Sequence, residues 1–374
     1  MRKIKKLNPI PDNLNLSTTA NRNNRATNLR AMRANLNGRP TFRFPGYENS
    51  NNKVRIRGLA DGCCAYCGVN ISGEQSLINE HYRPKKELKF RVNECRLEGL
   101  ELSEERRNGI FLELNSVNNH GYFLWGDDYN NLFPSCNACN TGEGDNGIYV
   151  KSNSSTEQIQ YNIAYGKKNF FPIYYRGEND PRLDIKYVSD ISKESPLLFN
   201  PYVDDPEEIF SYKKPEKCTK TDDVIVKIKP NPQTSRRKRL KAEVTINLLG
   251  LNRRNLCLKR QLKRNNLSST VLKEFRVIEK QDDPMATELS DIISRYLKLV
   301  EDDAIGLYGY ASVTGKKLGE ALRNFAITHF QGLSGLTLSS SSSFQDICND
   351  LKRFKTAYPY IWTQNLDAAD DLID

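Results

Sequence analysis

Two Cys-x-x-Cys pairs, Cys64/Cys67 and Cys136/Cys139, stand 68 residues apart in a chain of 374. Each pair sets two sulfurs at one tight turn, and two such turns close a tetrahedral thiolate cage of the kind that holds structural zinc. A chain tied this way must bring both turns to one point, so the metal contributes directly to folding. Nine cysteines are too sparse for a disulfide scaffold, and their number is odd. Paired as Cys-x-x-Cys in a reducing compartment, they favour metal over disulfide. Cys63 adjoins Cys64 and competes with it as a ligand, but Cys64 alone gives the two-residue spacing to Cys67. Cys95, Cys218, Cys257 and Cys348 are isolated and read as half-buried small hydrophobes.

The length suggests two domains, or three, with enough chain to bury a sizeable core. Hydrophobic residues make up 38% and mean hydropathy is −0.66, which predicts a polar surface. No run approaches 18 apolar residues, and Met1-Arg2-Lys3-Ile4-Lys5-Lys6 lacks the apolar stretch of a signal peptide. The expectation is a soluble cytoplasmic protein with no membrane partner. The net charge of +10 is concentrated in residues 1–57, which hold 13 Lys/Arg against Asp12 and Glu48. Such a basic segment suits phosphate neutralisation, and equally a solvated or partner-bound terminus.

Residues 1–52 are rich in Asn and Arg and interrupted by Pro9, Pro11, Pro40 and Pro45, which predicts an arm, mostly extended, with a short helix over 26–36. Residues 53–210 carry the cysteine motifs and form the second region, which opens with a short helix over 54–60. Residues 86–120 read as an inserted surface loop, and 121–125 as a strand and turn. Residues 211–374 form the third region, mainly helical. There, apolar residues recur at helical spacing over 235–249, 253–264 and 284–300, and a last helix lies near 344–358. Gly250 is a C-cap candidate, Ser339–Ser343 a linker and Asp367–Asp374 an acidic tail.

Only three histidines are present, and His81 has the most suggestive neighbours, Glu80 before it and Arg83 and Lys85 after it. A neutral imidazole takes a proton from water as it attacks phosphorus. A carboxylate beside it suits a hard divalent cation, Mg2+ or Mn2+, and the two cations suit flanking phosphates. Side chains at 80 and 81 of a strand point to opposite faces, so local twist has to bring both near one phosphate. Asn140 directly follows the last cysteine, and its amide oxygen suits a second ligand to that cation. Asn131 is better placed to bond backbone and orient His81. His120 reads as a loop histidine and His329 as packed among apolar helical neighbours. The basic runs 236–239 and 253–264 read as backbone-tracking surfaces or solvated helix faces.

The series Cys64-x2-Cys67, Glu80-His81-Tyr82-Arg83-Pro84-Lys85 and Asn131-Leu132-x-Pro134-Ser135-Cys136-x2-Cys139-Asn140 resembles the HNH, or ββα-metal, endonucleases with a four-cysteine zinc site. Among them it is most similar to the nuclease family of Septu-type anti-phage systems, which also accompanies some retrons. Met1-Arg2-Lys3-Ile4, the stretch from Pro196 to Glu207, and Leu248-Leu249-Gly250-Leu251-Asn252-Arg253 extend the likeness to about residue 264. The resemblance implies an α+β fold: a zinc-stabilised ββα-metal nuclease module with an extended basic amino-terminal arm and a mostly α-helical carboxy-terminal region. It implies His81 as general base, Glu80 and Asn140 around a divalent cation, and Asn131 as the central asparagine. It also implies a PtuA-type ABC/SMC-like ATPase partner, a nucleic-acid substrate and, in retron settings, a reverse transcriptase with its RNA–DNA product.

Two departures stand out. Glu143 occupies the place where the family has a lysine, and Lys-x-x-x-Phe-Pro reappears at Lys167–Pro172, as if 141–166 were inserted. Lys167 is thus the candidate for the missing substrate-binding cation. Glu80 stands where related nucleases often carry Asp. Competing readings are a non-catalytic zinc-stabilised nucleic-acid-binding module and a stand-alone restriction or homing-type nuclease.

Overall fold

The computed structural model describes residues 4, 9–35, 38, 40–60, 62–71, 77–89, 120–142, 147–151, 157–161, 164–173, 191, 194–213, 225–228, 235–281, 284, 286–302, 316–330 and 344–357. Glu143, most of the 86–120 insertion, the serine linker and the acidic tail lie outside them. The described residues form helices and small two-stranded sheets. Cα proximity divides the chain into two compact units. The first is Met1–Phe210, Pro215–Thr219 and Ile225–Leu256; the second is Ser211–Lys214, Lys220–Val224 and Cys257–Asp374.

The first unit begins with helices where the sequence predicts a mostly extended arm. These are α1 (Thr19–Ala34), α2 (Pro45–Glu48) and α3 (Ser50–Gly58). Thr18 caps α1 by accepting from Asn21 N, and Asn49 caps α3 by accepting from Asn52 N. The physical reason for the difference is the use made of asparagine. Asn28 donates to Arg43 O and accepts from Arg43 N, both at 2.9 Å. Asn52 donates to Gly46 O and Asn13 Oδ1, and Asn21 donates to Asn13 O and Asp127 O. Buried amides thus satisfy the backbone of a segment with few apolar residues. The few it has are well placed, since Met32 and Phe44 form a buried cluster with Phe123.

Strands β1 (Ile78–His81) and β2 (Leu132–Ser135) pair antiparallel, with Glu80 opposite Phe133 and His81 opposite Leu132. One helical turn, α4 (Asn137–Asn140), follows β2. Residues 121–125 form a tight turn rather than the expected strand. Gly121 has φ +62°, a Cβ there would collide with Lys86 O, and Phe123–Trp125 winds as a 3-10 turn. That turn lets Phe123 enter the Met32 cluster while the Tyr122 hydroxyl reaches Glu194.

After α4 the chain leaves as a hairpin, β3 (Ile148–Lys151) against β4 (Glu157–Gln160). It then returns: Lys167 N donates to Cys139 O at 2.8 Å and Lys168 N to Asn140 O at 2.6 Å. The backbones meet at Gly142 and Gly166, where a Cβ on either would strike the other segment. Helix α5 (Arg236–Leu248) closes the unit, capped by Ser235 and ended at Gly250 with φ +57°. Its Leu240 and Val244 pack on Leu197, and its Thr245 hydroxyl accepts from Phe199 N.

The described residues of the second unit are mainly helical, apart from the strand residues 211–213. Helix α6 (Arg254–Leu267) runs into it, followed by α7 (Lys273–Ile278), α8 (Ala286–Asp302), α9 (Lys316–Phe330) and α10 (Phe344–Ala357). Buried Leu289, Ile293, Tyr296, Leu322, Phe325, Phe344, Ile347 and Leu351 form its interior. Among the described residues, no helix is long and apolar enough to cross a membrane.

Candidate metal centre and active site

Cys64, Cys67, Cys136 and Cys139 are buried, with all four sulfurs within 4.8 Å of one another. Cys67 Sγ and Cys136 Sγ are 3.7 Å apart. A tetrahedral zinc with Zn–S bonds of about 2.3 Å requires sulfurs about 3.8 Å apart, so this set fits the ion. Each knuckle turns a backbone N–H toward its first sulfur, Cys67 N to Cys64 Sγ at 3.5 Å and Cys139 N to Cys136 Sγ at 3.4 Å. Cys63, though also buried, is outside the four-sulfur group. Arg253 departs from the surface role read for its basic run. It is buried, with Nη1 3.7 Å from Cys139 Sγ, Nη2 3.9 Å from Cys136 Sγ, and Nη1 also on the carbonyls of Leu249 and Gly250. A guanidinium there offsets the negative charge of four thiolates.

His81 lies at the carboxyl end of β1, buried, with Nε2 2.9 Å from Gly126 O. A carbonyl oxygen only accepts, so Nε2 carries the proton and Nδ1 holds the lone pair. Burial pushes the imidazole pKa well below 6.5, and the ammonium groups of Lys85 and Lys167 push the same way against the Gly126 carbonyl. The ring is therefore neutral around pH 7. Asn131 fixes the chain around it. Its Oδ1 accepts from Arg83 N at 2.6 Å, and its Nδ2 donates to Arg83 O and Trp125 O, each at 3.0 Å. One amide side chain thereby joins the end of β1 to the turn that supplies Gly126.

Glu80 points to the other face of β1, where Lys167 Nζ meets its Oε1 at 2.6 Å with both side chains buried. Burial lifts the Glu80 carboxyl above its ordinary range, and the Lys167 ammonium limits the rise. The looped-out hairpin thus returns Lys167 to the space beside α4, committed to a carboxylate and to Lys168 O. Asn140 ends α4, its carbonyl bonded by Lys168 N. Arg83 is committed as well: its Nε donates to Glu194 Oε2 at 3.0 Å, and its guanidinium lies over Tyr82, Tyr122 and Phe171. The Lys85 ammonium lies over the rings of Tyr47 and Phe44, and burial lowers its pKa to about 8. His120 lies edge-on to Phe42, and His329 packs on Phe325 in the second unit.

Tyr47, Asp127 and Glu194 join the site without having been singled out from the sequence, and Arg253 reads there only as part of a basic surface run. Only Arg253 carried a signal, standing within a fragment on which the family likeness rests.

The described site defines a class: a protein with a four-thiolate knuckle and a buried Glu–His strand end beside it. Within that class the chain resembles Septu protein PtuB from Bacillus mycoides (strain KBAB4), to which it is 26% identical over 217 residues. The match covers 58% of this chain and 51% of the relative, so the chain spans about half the length of the curated protein it matches. No family model and no solved structure matches the chain.

Proposed function

We propose that the chain is a metal-dependent HNH, or ββα-metal, endonuclease that hydrolyses phosphodiester bonds in nucleic acid. It acts in the cytoplasm as effector of a Septu-type anti-phage complex with a PtuA-type ATPase, in some settings together with a retron reverse transcriptase and its RNA–DNA product. The observation that carries the reading is a neutral, Nε2-protonated His81, fixed by Gly126 and Asn131 at the end of a β-hairpin closed by the four-thiolate knuckle. Supporting it, β1, β2 and α4 follow one another as strand, strand and helix, and the relative's name is that of a Septu protein.

In this reading water gives a proton to His81 Nδ1 as its oxygen bonds to phosphorus. The bond to the leaving oxygen breaks, and that oxygen takes up a proton from solvent. Glu80 Oε2 and the Asn140 amide oxygen would be the hard oxygen donors that hold Mg2+ or Mn2+. That cation would neutralise charge on the phosphoryl group. Lys85 attracts the phosphate, and Lys167 and Arg83 act from behind by holding Glu80 and the Asn131-bound strand end.

His81→Ala, purified with full zinc content and unchanged circular dichroism, is expected to lose divalent-cation-dependent cleavage by about 100-fold or more. Cleavage retained at the wild-type rate would remove His81 as base and favour another residue such as His120, whereas a wild-type chain without any cleavage would leave the non-catalytic binding module as the better reading. Co-purification with an ATPase encoded beside this chain tests the complex, and a persistently solitary active nuclease would favour the restriction-type alternative.

A further inference from the structure

The basic amino-terminal segment supplies more than charge. Phe42 stacks on Phe123 with ring centroids 4.4 Å apart and planes within 7°. Phe44 lies against Gly126, so closely that a Cβ at Gly126 would collide with the ring. Gly126 is the residue whose carbonyl holds His81. Within the single turn of α2, the Tyr47 ring sits 4.4 Å from the His81 imidazole, inclined by 49°. The ammonium of Lys85 lies 3.4 Å from the same ring's centre, within the range of a cation–π contact. Tyr47 is held in turn by its backbone, since its N–H donates to Asp127 Oδ1 at 2.7 Å. Asp127 follows Gly126 directly, and its own carbonyl accepts from Asn21 of α1.

We infer that Tyr47 is a positioning residue of the His81 site: its ring holds the imidazole in the Nε2-protonated orientation and keeps the Lys85 ammonium beside it, with Asp127 anchoring the turn that carries it. The inference rests on the nuclease reading for its consequence in catalysis, but not for its geometry. An imidazole held by one hydrogen bond can still rotate about that bond. An aromatic ring on one side restricts this freedom, and the same ring, together with Phe44, cradles the Lys85 ammonium near the strand end. The ring does this work, not the hydroxyl.

The experiment uses the full zinc-loaded chain with 15N-labelled histidine. Three histidines give three ring systems, and His81→Ala assigns the relevant one. In wild type, His81 is expected as a neutral ring protonated at Nε2, with ring protons shifted upfield and nuclear Overhauser contacts to Tyr47. Tyr47→Leu is expected to give a mixture of tautomers, loss of the upfield shift and a kcat about 100-fold lower with KM changed much less. Tyr47→Phe is expected to restore the wild-type histidine spectrum and most of kcat. An unchanged His81 spectrum in Tyr47→Leu, or a Tyr47→Phe protein that behaves like Tyr47→Leu, would overturn the inference. Where Tyr47→Leu loses zinc or circular dichroism, the wild-type Overhauser contacts decide: their presence supports the positioning role and their absence refutes it. A wild-type protein that cleaves no nucleic acid refutes the nuclease reading, and the histidine spectra then judge Tyr47 independently.

Discussion

Asp127 anchors Tyr47 through one oxygen, while its Oδ2 is buried without a hydrogen-bond partner among the described residues. Burial lifts its carboxyl pKa from 3.8 to about 6, against the pull of the Tyr47 and Gly46 N–H groups. The folded protein therefore binds a proton that the unfolded chain has released. Stability from this group is fully present below pH ~4 and is lost as pH rises through about 6. Asp127→Asn keeps an acceptor for Tyr47 N and removes the buried charge. It is expected to raise stability at pH 7 by on the order of 1–2 kcal/mol and to flatten the pH dependence between 4 and 6, read from melting curves. At the Glu80–Lys167 pair a buried cation accompanies the carboxylate, so loss of one partner is costly. Lys167→Met strands a buried carboxylate and is expected to cost about 3–5 kcal/mol, and Glu80→Gln/Lys167→Met to recover most of it, measured by denaturant unfolding of zinc-loaded protein. Lys167 was legible in the sequence through its displaced Lys-x-x-x-Phe-Pro context. Tyr47 and Asp127 were not, because no local pattern tells that residue 47 returns to residue 81.

At the level of elements, the sequence spoke most clearly where periodicity or spacing acts locally. The knuckle cysteines, α5, α6, α8 and the glycine after α5 are examples, each set by a turn or a repeat of apolar positions. It was least clear where a buried side chain replaces apolar area, as the asparagines of α1 and α3 do, or where a positive φ breaks an aromatic run, as at Gly121. The β3–β4 hairpin shows both. Its position as an insertion was readable, but its role was not: Tyr149 N donates to Asn252 O and Arg254 N to Gly147 O, on either side of Arg253. The hairpin thus helps seat the guanidinium that faces the cysteines. Arg253→Met, which keeps the four thiols and most of the side-chain volume, is expected to weaken zinc binding about 10–100-fold in competition with a chromogenic chelator.

Across the whole molecule, charge is the property that local reading judged best and placed least well. The excess of Lys and Arg in residues 1–57 is carried partly on α1, where Arg22, Arg30 and Arg33 are exposed. Replacing these three by Gln is expected to weaken nucleic-acid binding similarly for all sequences and to lower the log–log salt slope by about 2–3, followed by fluorescence anisotropy. The return of distant segments to one strand end has a further consequence. Glu80 awaits Lys167, Tyr82 donates its hydroxyl to Leu198 O, and the cysteines await Arg253. A ribosome adding about 5–20 residues per second leaves His81 without this surround for on the order of ten seconds or more. The nascent chain therefore carries His81 before its surround exists, and the environment described around that imidazole is complete only after most of the chain has been translated.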